Sequence, residues 1–300
     1  MFDTVHLVLD APDVDRVVGA LERLEERICR TTGEVRYAGR VGPLRVWVSS
    51  TRLKLRGSLS RAVFGREWMH GAPDRSRVAG FVEDLARRLG EDIRSAAVWR
   101  ADVFADLALS APLARYLDAL VSLDRAQRSA YDGTSVQFNL DCRQVAFYDR
   151  AARVGIRVDG GLLRYELRFL NRMTQQMGRR VRFDDLYDAE TWTAYANRWE
   201  QEYRAVRKAR VPLLRPAEPF DWKRHMALTA ATSVGEGQYI QFLKSSYEAG
   251  RLTRSQYHTA RRTVLGALED SALTAASDTV AELDDAIRRA TDQARSAGER

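Results

Sequence analysis

Cysteine, histidine, proline and lysine are all scarce in this chain of 300 residues, and each scarcity excludes something. The two cysteines, Cys29 and Cys142, have no CxxC partner, which removes a disulfide framework and a zinc ribbon and fits a reducing compartment. The four histidines stand at 6, 70, 225 and 258, with no metal-ligand spacing, so a zinc enzyme is not expected. There is no GxxxxGK[ST], GxGxxG, HExxH or GxSxG, which argues against P-loop, Rossmann, zincin and serine-hydrolase chemistry. No apolar run approaches the length of a membrane span. The opening MFDTVHLVLDAPDVD has early acids and no basic segment before its apolar stretch, unlike a secretory signal. Hydrophobic residues at 45% and charged residues at 30% describe an ordinary folded chain.

What is abundant is arginine. Of the 48 basic residues only 4 are Lys, and the formal net charge is +7. A GC-rich coding sequence is one reading of that ratio; phosphate contact by guanidinium forks is the other. The location of the charge favours the second. Residues 143–182 hold ten Arg and three acids, a surplus equal to the +7 of the whole chain, whereas residues 221–300 are balanced at eleven of each sign.

Periodicity divides the chain into an α+β part and an all-α part. A strand is expected at Val5–Leu9, a helix from Asp13 to about Arg30, and strands at 34–37, 44–49 and 52–56. GSLSRAVFG reads as a turn into a short helix, with Ser58 as N-cap. A helix over 74–89, a long strand over 96–109 and a helix from Pro112 to about Ala126 follow. Strands are expected at 135–140, 143–150 and 162–171, then a helix over 189–208. The segment 211–220 carries three of the seven prolines and reads as a linker. The implied organisation is a mainly antiparallel sheet with packed helices over 1–210, the linker 211–220, and a helical region over 221–300. In that last region Glu236–Leu268 reads as helix, Gly250 turn, helix, a helix-turn-helix candidate with Arg254, Arg261 and Arg262 on its second helix. A final helix is expected over 271–297, for clasping or dimerisation.

Three strands carry unusual polar residues. Alternation along VWRADVF puts Arg100 and Asp102 on one face. Along LLRYELRF, Leu163, Tyr165, Leu167 and Phe169 form a core face, leaving Arg164, Glu166 and Arg168 on the other. Along QVAFYDR, Tyr148 shares a face with Gln144, Ala146 and Arg150. Brought into one sheet, these side chains suit phosphodiester transfer. Asp102 and Glu166 are hard oxygen ligands for Mg²⁺ or Mn²⁺. Tyr148 is a nucleophile able to store the bond as a phosphotyrosine ester, and Arg150 and Arg168 are cations able to help it. The plainer readings are cross-strand ion pairs and a packing tyrosine. Arg56, Arg61, Arg100, Arg143 and Arg164 are further candidate DNA contacts.

An ordered set of segments resembles the phage and plasmid rolling-circle replication initiators related to the gene II and gene X replication proteins of filamentous phages. The segments are DTVHLVL, LKLRGSLSRAVFG (53–65), WRADVFADL (99–107), VAFYDRAARV (145–154), LLRYELRFLNR (162–172) and AGRLTRSQYHTARRTVLGAL (249–268), which together span nearly the whole chain. The resemblance implies an origin-specific nicking and joining endonuclease, with Tyr148 as nucleophile and Asp102 and Glu166 as metal-binding acids. It also implies double-stranded origin DNA, single-stranded DNA, and a host helicase and polymerase as partners, a cytoplasmic location in a bacterial host, and no membrane. The chain lacks the His-hydrophobe-His pair of many such enzymes, which leaves the metal ligand set open. His6 is either a third ligand or a packed or surface histidine. A non-catalytic DNA-binding regulator of a phage or plasmid, or a conjugative relaxase, is the competing reading.

Overall fold

The computed structural model describes residues 1–28, 30–31, 33–65, 71–131, 133–212, 222–270 and 274–299. In chain order the elements of the first part are β1 (Phe2–Asp10), α1 (Val14–Gly19), β2 (Glu22–Ile28), β3 (Val35–Val41), β4 (Leu44–Val48), β5 (Arg52–Ser58), α2 (Leu59–Phe64), α3 (Arg75–Leu89) and β6 (Ala97–Leu109). Next come α4 (Leu113–Asp118), β7 (Leu120–Ser122), β8 (Gln127–Tyr131), β9 (Ser135–Asn139), β10 (Arg143–Asp149), α5 (Arg150–Val154), β11 (Gly161–Phe169), α6 (Met173–Met177) and α7 (Ala189–Ala205). The chain closes with β12 (Arg207–Lys208), β13 (Arg210–Pro212), α8 (Trp222–Val234), α9 (Glu236–Glu248), α10 (Arg254–Glu269), β14 (Thr274–Ala276) and α11 (Asp278–Glu299).

The frame is a ten-stranded antiparallel sheet in the order β2-β3-β4-β5-β1-β6-β11-β10-β9-β8. Alternation supplies its apolar face: Leu163, Tyr165, Leu167 and Phe169 of β11 are fully buried, as are Val145 and Phe147 of β10. Helix α7 packs there through aromatic rings. Phe2 meets Trp192 and Tyr195 edge-on at 5.3 and 5.0 Å, and the Tyr165 hydroxyl donates to the Trp199 carbonyl at 2.8 Å. Val78, Val82, Leu85 and Leu89 of α3 join the same core. The fold is therefore α+β in its N-terminal part, as the periodicity predicts, with a helical C-terminal region.

Several boundaries differ from the sequence reading. The helix expected over 13–30 stops at Gly19, and Glu22–Ile28 is the outermost strand of the sheet. Every residue of that strand is exposed, so it has no buried face to impose alternation, and its Glu, Arg and Leu residues favour helix locally. The helix expected over 112–126 ends at Asp118, because Leu120–Ser122 pairs with β12 instead. Arg150 opens α5 rather than ending β10, since Asp149 caps that helix by accepting from the Ala152 amide at 2.8 Å. Of the expected linker, 213–220 lie outside the described residues; Arg210–Pro212 pairs with Thr274–Ala276. The last helix begins at Asp278, not 271.

The helical region is not one packing unit. Leu228, Ala231, Leu243, Val264, Ala267 and Leu268 of α8–α10 form a small core of their own. Helix α11 instead inserts Leu283, Ala286 and Ile287 into the main core. It is tied to α7 by hydrogen bonds from Trp192 Nε1 to the Ala294 carbonyl (3.0 Å) and from the Tyr203 hydroxyl to Asp284 (2.6 Å).

Candidate functional site

The register of the central strands brings the chemistry-bearing residues together. Arg168 of β11 lies opposite Asp102 of β6 on one side and Gln144 of β10 on the other. Two residues on, Glu166 faces Phe104 and Ala146; two more, Arg164 faces Asp106 and Tyr148. Since side chains alternate faces, Asp102, Glu166 and Tyr148 occupy one face of the sheet, opposite the face that carries the α7 packing. Arg143 sits on the other parity of β10 and reaches α7, where it pairs with Glu202 at 3.0 Å, so it does not share the face of Tyr148.

The polar face is a ladder of arginine–carboxylate pairs. Arg100 grips Asp102 through two bonds, Nε to Oδ1 at 2.8 Å and Nη2 to Oδ2 at 2.7 Å. Arg168 donates from Nε to Glu166 Oε2 at 2.8 Å and also reaches it through Nη2; its Nη1 donates to Gln144 at 2.5 Å. Arg164 grips Asp106 at 2.5 and 2.6 Å and lies 3.9 Å over the Phe104 ring. Arg150 approaches Asp106 at 3.8 Å, and Asp3 lies 3.8 Å from Arg164 while accepting from the Ser58 hydroxyl at 2.6 Å. Asp102, Glu166, Arg150 and Arg164 are all buried. Arg164, expected as a DNA contact, is thus an internal member of an ion-pair network, because it is buried and without Asp106 would be an unpaired buried charge.

Tyr148 is the penultimate residue of β10 and is only 7% exposed. Arg153 of α5 lies 4.8 Å over its ring. Burial is the main cause that raises its phenol pKa, helped by the charge of Glu166; Arg164, Arg153 and Arg168 oppose it. Burial likewise raises Asp102 to about 6, with Glu166 adding to it and Arg100 opposing. His6 of β1 is opposite Arg100 and Arg56, and its Nε2 is buried with no hydrogen-bond partner among the described residues. Burial, then Arg56 and Arg100, lowers its pKa to about 4.

The two acids expected to hold Mg²⁺ or Mn²⁺ have the right donor chemistry, and they fall on neighbouring strands. Each is already held by an arginine, and among the described residues no group of three His, Cys, Asp or Glu is placed to hold a metal. In this arrangement the residues do not fit a protein-built metal centre.

Arg56 and Arg61 are exposed, as are Arg254, Arg261 and Arg262 on α10, whose N-terminus carries the full capping box of Thr253 and Gln256. His70 and Cys29 lie outside the described residues. Asp106, Asp3 and Arg153 were not singled out by sequence. The alternation that marks Asp102 also marks Asp106, four residues on; Asp3 is hidden by an irregularity in the β1–β6 pairing between Phe2 and Val5.

No family model matches the chain, and no curated protein matches it. Among solved structures it is similar to the rolling circle replication initiator protein from Geobacillus stearothermophilus, at 12% identity over 66% of this chain and 82% of that one, with a TM-score of 0.39. A likeness that faint transfers neither fold nor activity to this chain. Among the described residues no helix is long and apolar enough to cross a membrane.

Proposed function

We propose that the chain initiates rolling-circle replication by nicking one strand of an origin through Tyr148 and later rejoining it. The observation that carries this reading is the ladder in which Tyr148, Glu166 and Asp102 share one sheet face with Arg164 and Arg168 between them. In the step envisaged, the Tyr148 oxygen bonds to phosphorus as the bond to the 3′ oxygen breaks. The phenol proton leaves towards Glu166, the carboxylate whose charge acts on that phenol, and the departing 3′ oxygen takes a proton from solvent. The 5′ phosphate stays on Tyr148, and the free 3′ hydroxyl is available to a host polymerase. Arg150 and Arg168 offset the charge that develops on the phosphate oxygens. Helix α10 presents Arg254, Arg261 and Arg262 to solvent, which supports duplex origin binding there. The reaction takes place inside the bacterial cell, beside the host helicase.

The test is incubation with supercoiled DNA carrying its own origin and Mn²⁺ or Mg²⁺. Nicked circles covalently joined to protein are expected from the wild type and not from Tyr148→Phe, which keeps its DNA binding. An adduct on Tyr148→Phe refutes the assignment. One observation favours a non-catalytic DNA-binding regulator as second reading: both acids are engaged by arginines while Tyr148 is held in its neutral form. That reading expects origin binding without nicking.

A further inference from the structure

A second feature crosses the same sheet from its other end. Arg40 of β3 lies opposite Arg45 of β4, Arg45 opposite Arg56 of β5, Arg56 opposite His6 of β1, and His6 opposite Arg100 of β6. Five consecutive strands thus contribute one row of four guanidiniums and an imidazole. At the usual strand separation of about 4.8 Å the row runs for about 19 Å. Like charges placed directly opposite destabilise a sheet, so a fold has no internal use for this arrangement. At the far end of the row Arg100 holds Asp102, and beyond it Arg164 and Arg168 each hold a carboxylate. Among the described residues Arg40, Arg45 and Arg56 have no ion pair, and Arg45 and Arg56 are exposed; Glu22 of β2, opposite Arg40 beyond the end of the row, pairs with Arg88 instead. The imidazole pKa of His6, between Arg56 and Arg100, is lowered by burial and then by those two arginines. Next to the row, Trp47 is opposite Lys54, and Trp99 is 52% exposed where the β1–β6 register shifts.

We propose that the row Arg40–Arg45–Arg56–His6 is the track for the phosphate backbone of a single-stranded nucleic acid. Guanidinium forks match phosphate oxygens, and flanking indoles give bases a stacking surface that is tolerant of sequence. The track leads somewhere. It reaches Arg100, which bonds Asp102, which faces Arg168; Glu166 lies two residues further along that strand, and Tyr148 faces Arg164 two residues beyond it, on the same face. A duplex has no reason to follow a line that runs onto the face of a nucleophile acting on one strand. The inference rests on the nicking reading for that last point only; the row itself does not.

The probe is a fluorescent oligo-dT, titrated into the full chain by anisotropy at several salt concentrations. Arg40→Gln/Arg45→Gln/Arg56→Gln is expected to weaken binding at least tenfold and to lower the salt slope by about two units. Its melting temperature should hold or rise, because opposed like charges are removed. Arg45→Lys/Arg56→Lys keeps the charges and should bind within about threefold of wild type. Wild-type affinity in the triple Gln variant overturns the track. So does an equal loss for a random duplex of the same length, which marks a general polyanion surface. If oligo-dT depends on the row while no Tyr148 adduct forms on origin DNA, the nicking reading fails and the track stands. If the adduct forms and the triple variant binds normally, the track alone fails.

Discussion

Tyr148 and Arg153 form a cation–ring pair at 4.8 Å, the guanidinium arriving from α5 immediately after the strand that carries the tyrosine. Arg153 has no carboxylate partner among the described residues and is exposed, so it is free to act on whatever meets the phenol. It also opposes the rise in the phenol pKa caused by burial and Glu166. Arg153→Gln should slow adduct formation about tenfold, equivalent to the ~1–2 kcal/mol of a partly desolvated cation–ring contact. Single-turnover kinetics on origin DNA would read this, with oligo-dT affinity unchanged. An unchanged rate would reduce Arg153 to a packing role.

The pair Arg164–Asp106 is structural. Both residues belong to neighbouring strands, and Arg164 is 2% exposed. Arg164→Ala takes its cation from Asp3 and leaves Asp106 only Arg150 at 3.8 Å; it should cost about 3 kcal/mol in urea unfolding. Replacing both partners, Arg164→Leu with Asp106→Leu, should recover part of that loss, because Asp106 no longer needs a cation, while buried Arg150 loses Asp106 and Asp3 loses Arg164. A double variant as unstable as Arg164→Ala would show that the network contributes more than charge balance.

These residues also show how far sequence carries. The parity of VWRADVF and LLRYELRF assigns Asp102, Glu166 and the core residues to their faces without any structure, because burial of one face forces alternation. The same parity separates Arg143 from Tyr148, a consequence that becomes visible only when Glu202 of α7 is seen to receive Arg143. Partner choice is not periodic. Nothing in the order of residues says that Asp102 is gripped by Arg100 two positions earlier, or that Arg40, Arg45 and Arg56 fall in register, since register depends on hairpin geometry. The strand at Glu22–Ile28 was illegible for the opposite reason: with no buried face, it has no pattern to read.

The arginines on the two acids make a prediction about metal. With Arg100 on Asp102 and Arg168 on Glu166, Mn²⁺ should bind the free protein weakly in electron paramagnetic resonance titrations. Arg100→Gln/Arg168→Gln frees three carboxylate oxygens and should strengthen Mn²⁺ binding at least tenfold, about 1.4 kcal/mol or more. Asp102→Asn in that background should remove the gain. Equal, weak binding in all three proteins would mean that these acids are ion-pair partners only.

His6 and Asp102 should pull stability in opposite directions over one pH window. His6 falls from 6.5 to about 4 on folding, so between those values the unfolded chain holds the extra proton and stability rises with pH. Asp102 climbs from 3.8 to about 6, so between those values the native state holds the extra proton and stability falls as pH rises. From about pH 4 to 6 the two slopes largely offset in the wild type. His6→Gln removes the rising contribution; its stability relative to wild type should therefore decline as pH goes from 4 to 6. Asp102→Asn removes the falling one, and its stability relative to wild type should climb across the same range. Urea midpoints at pH 4, 5 and 6 measure both differences, with all other titrating groups cancelling between variant and wild type. Two flat difference curves would show that neither group changes its proton affinity on folding, and two curves of the same sign would show that one of the directions is reversed.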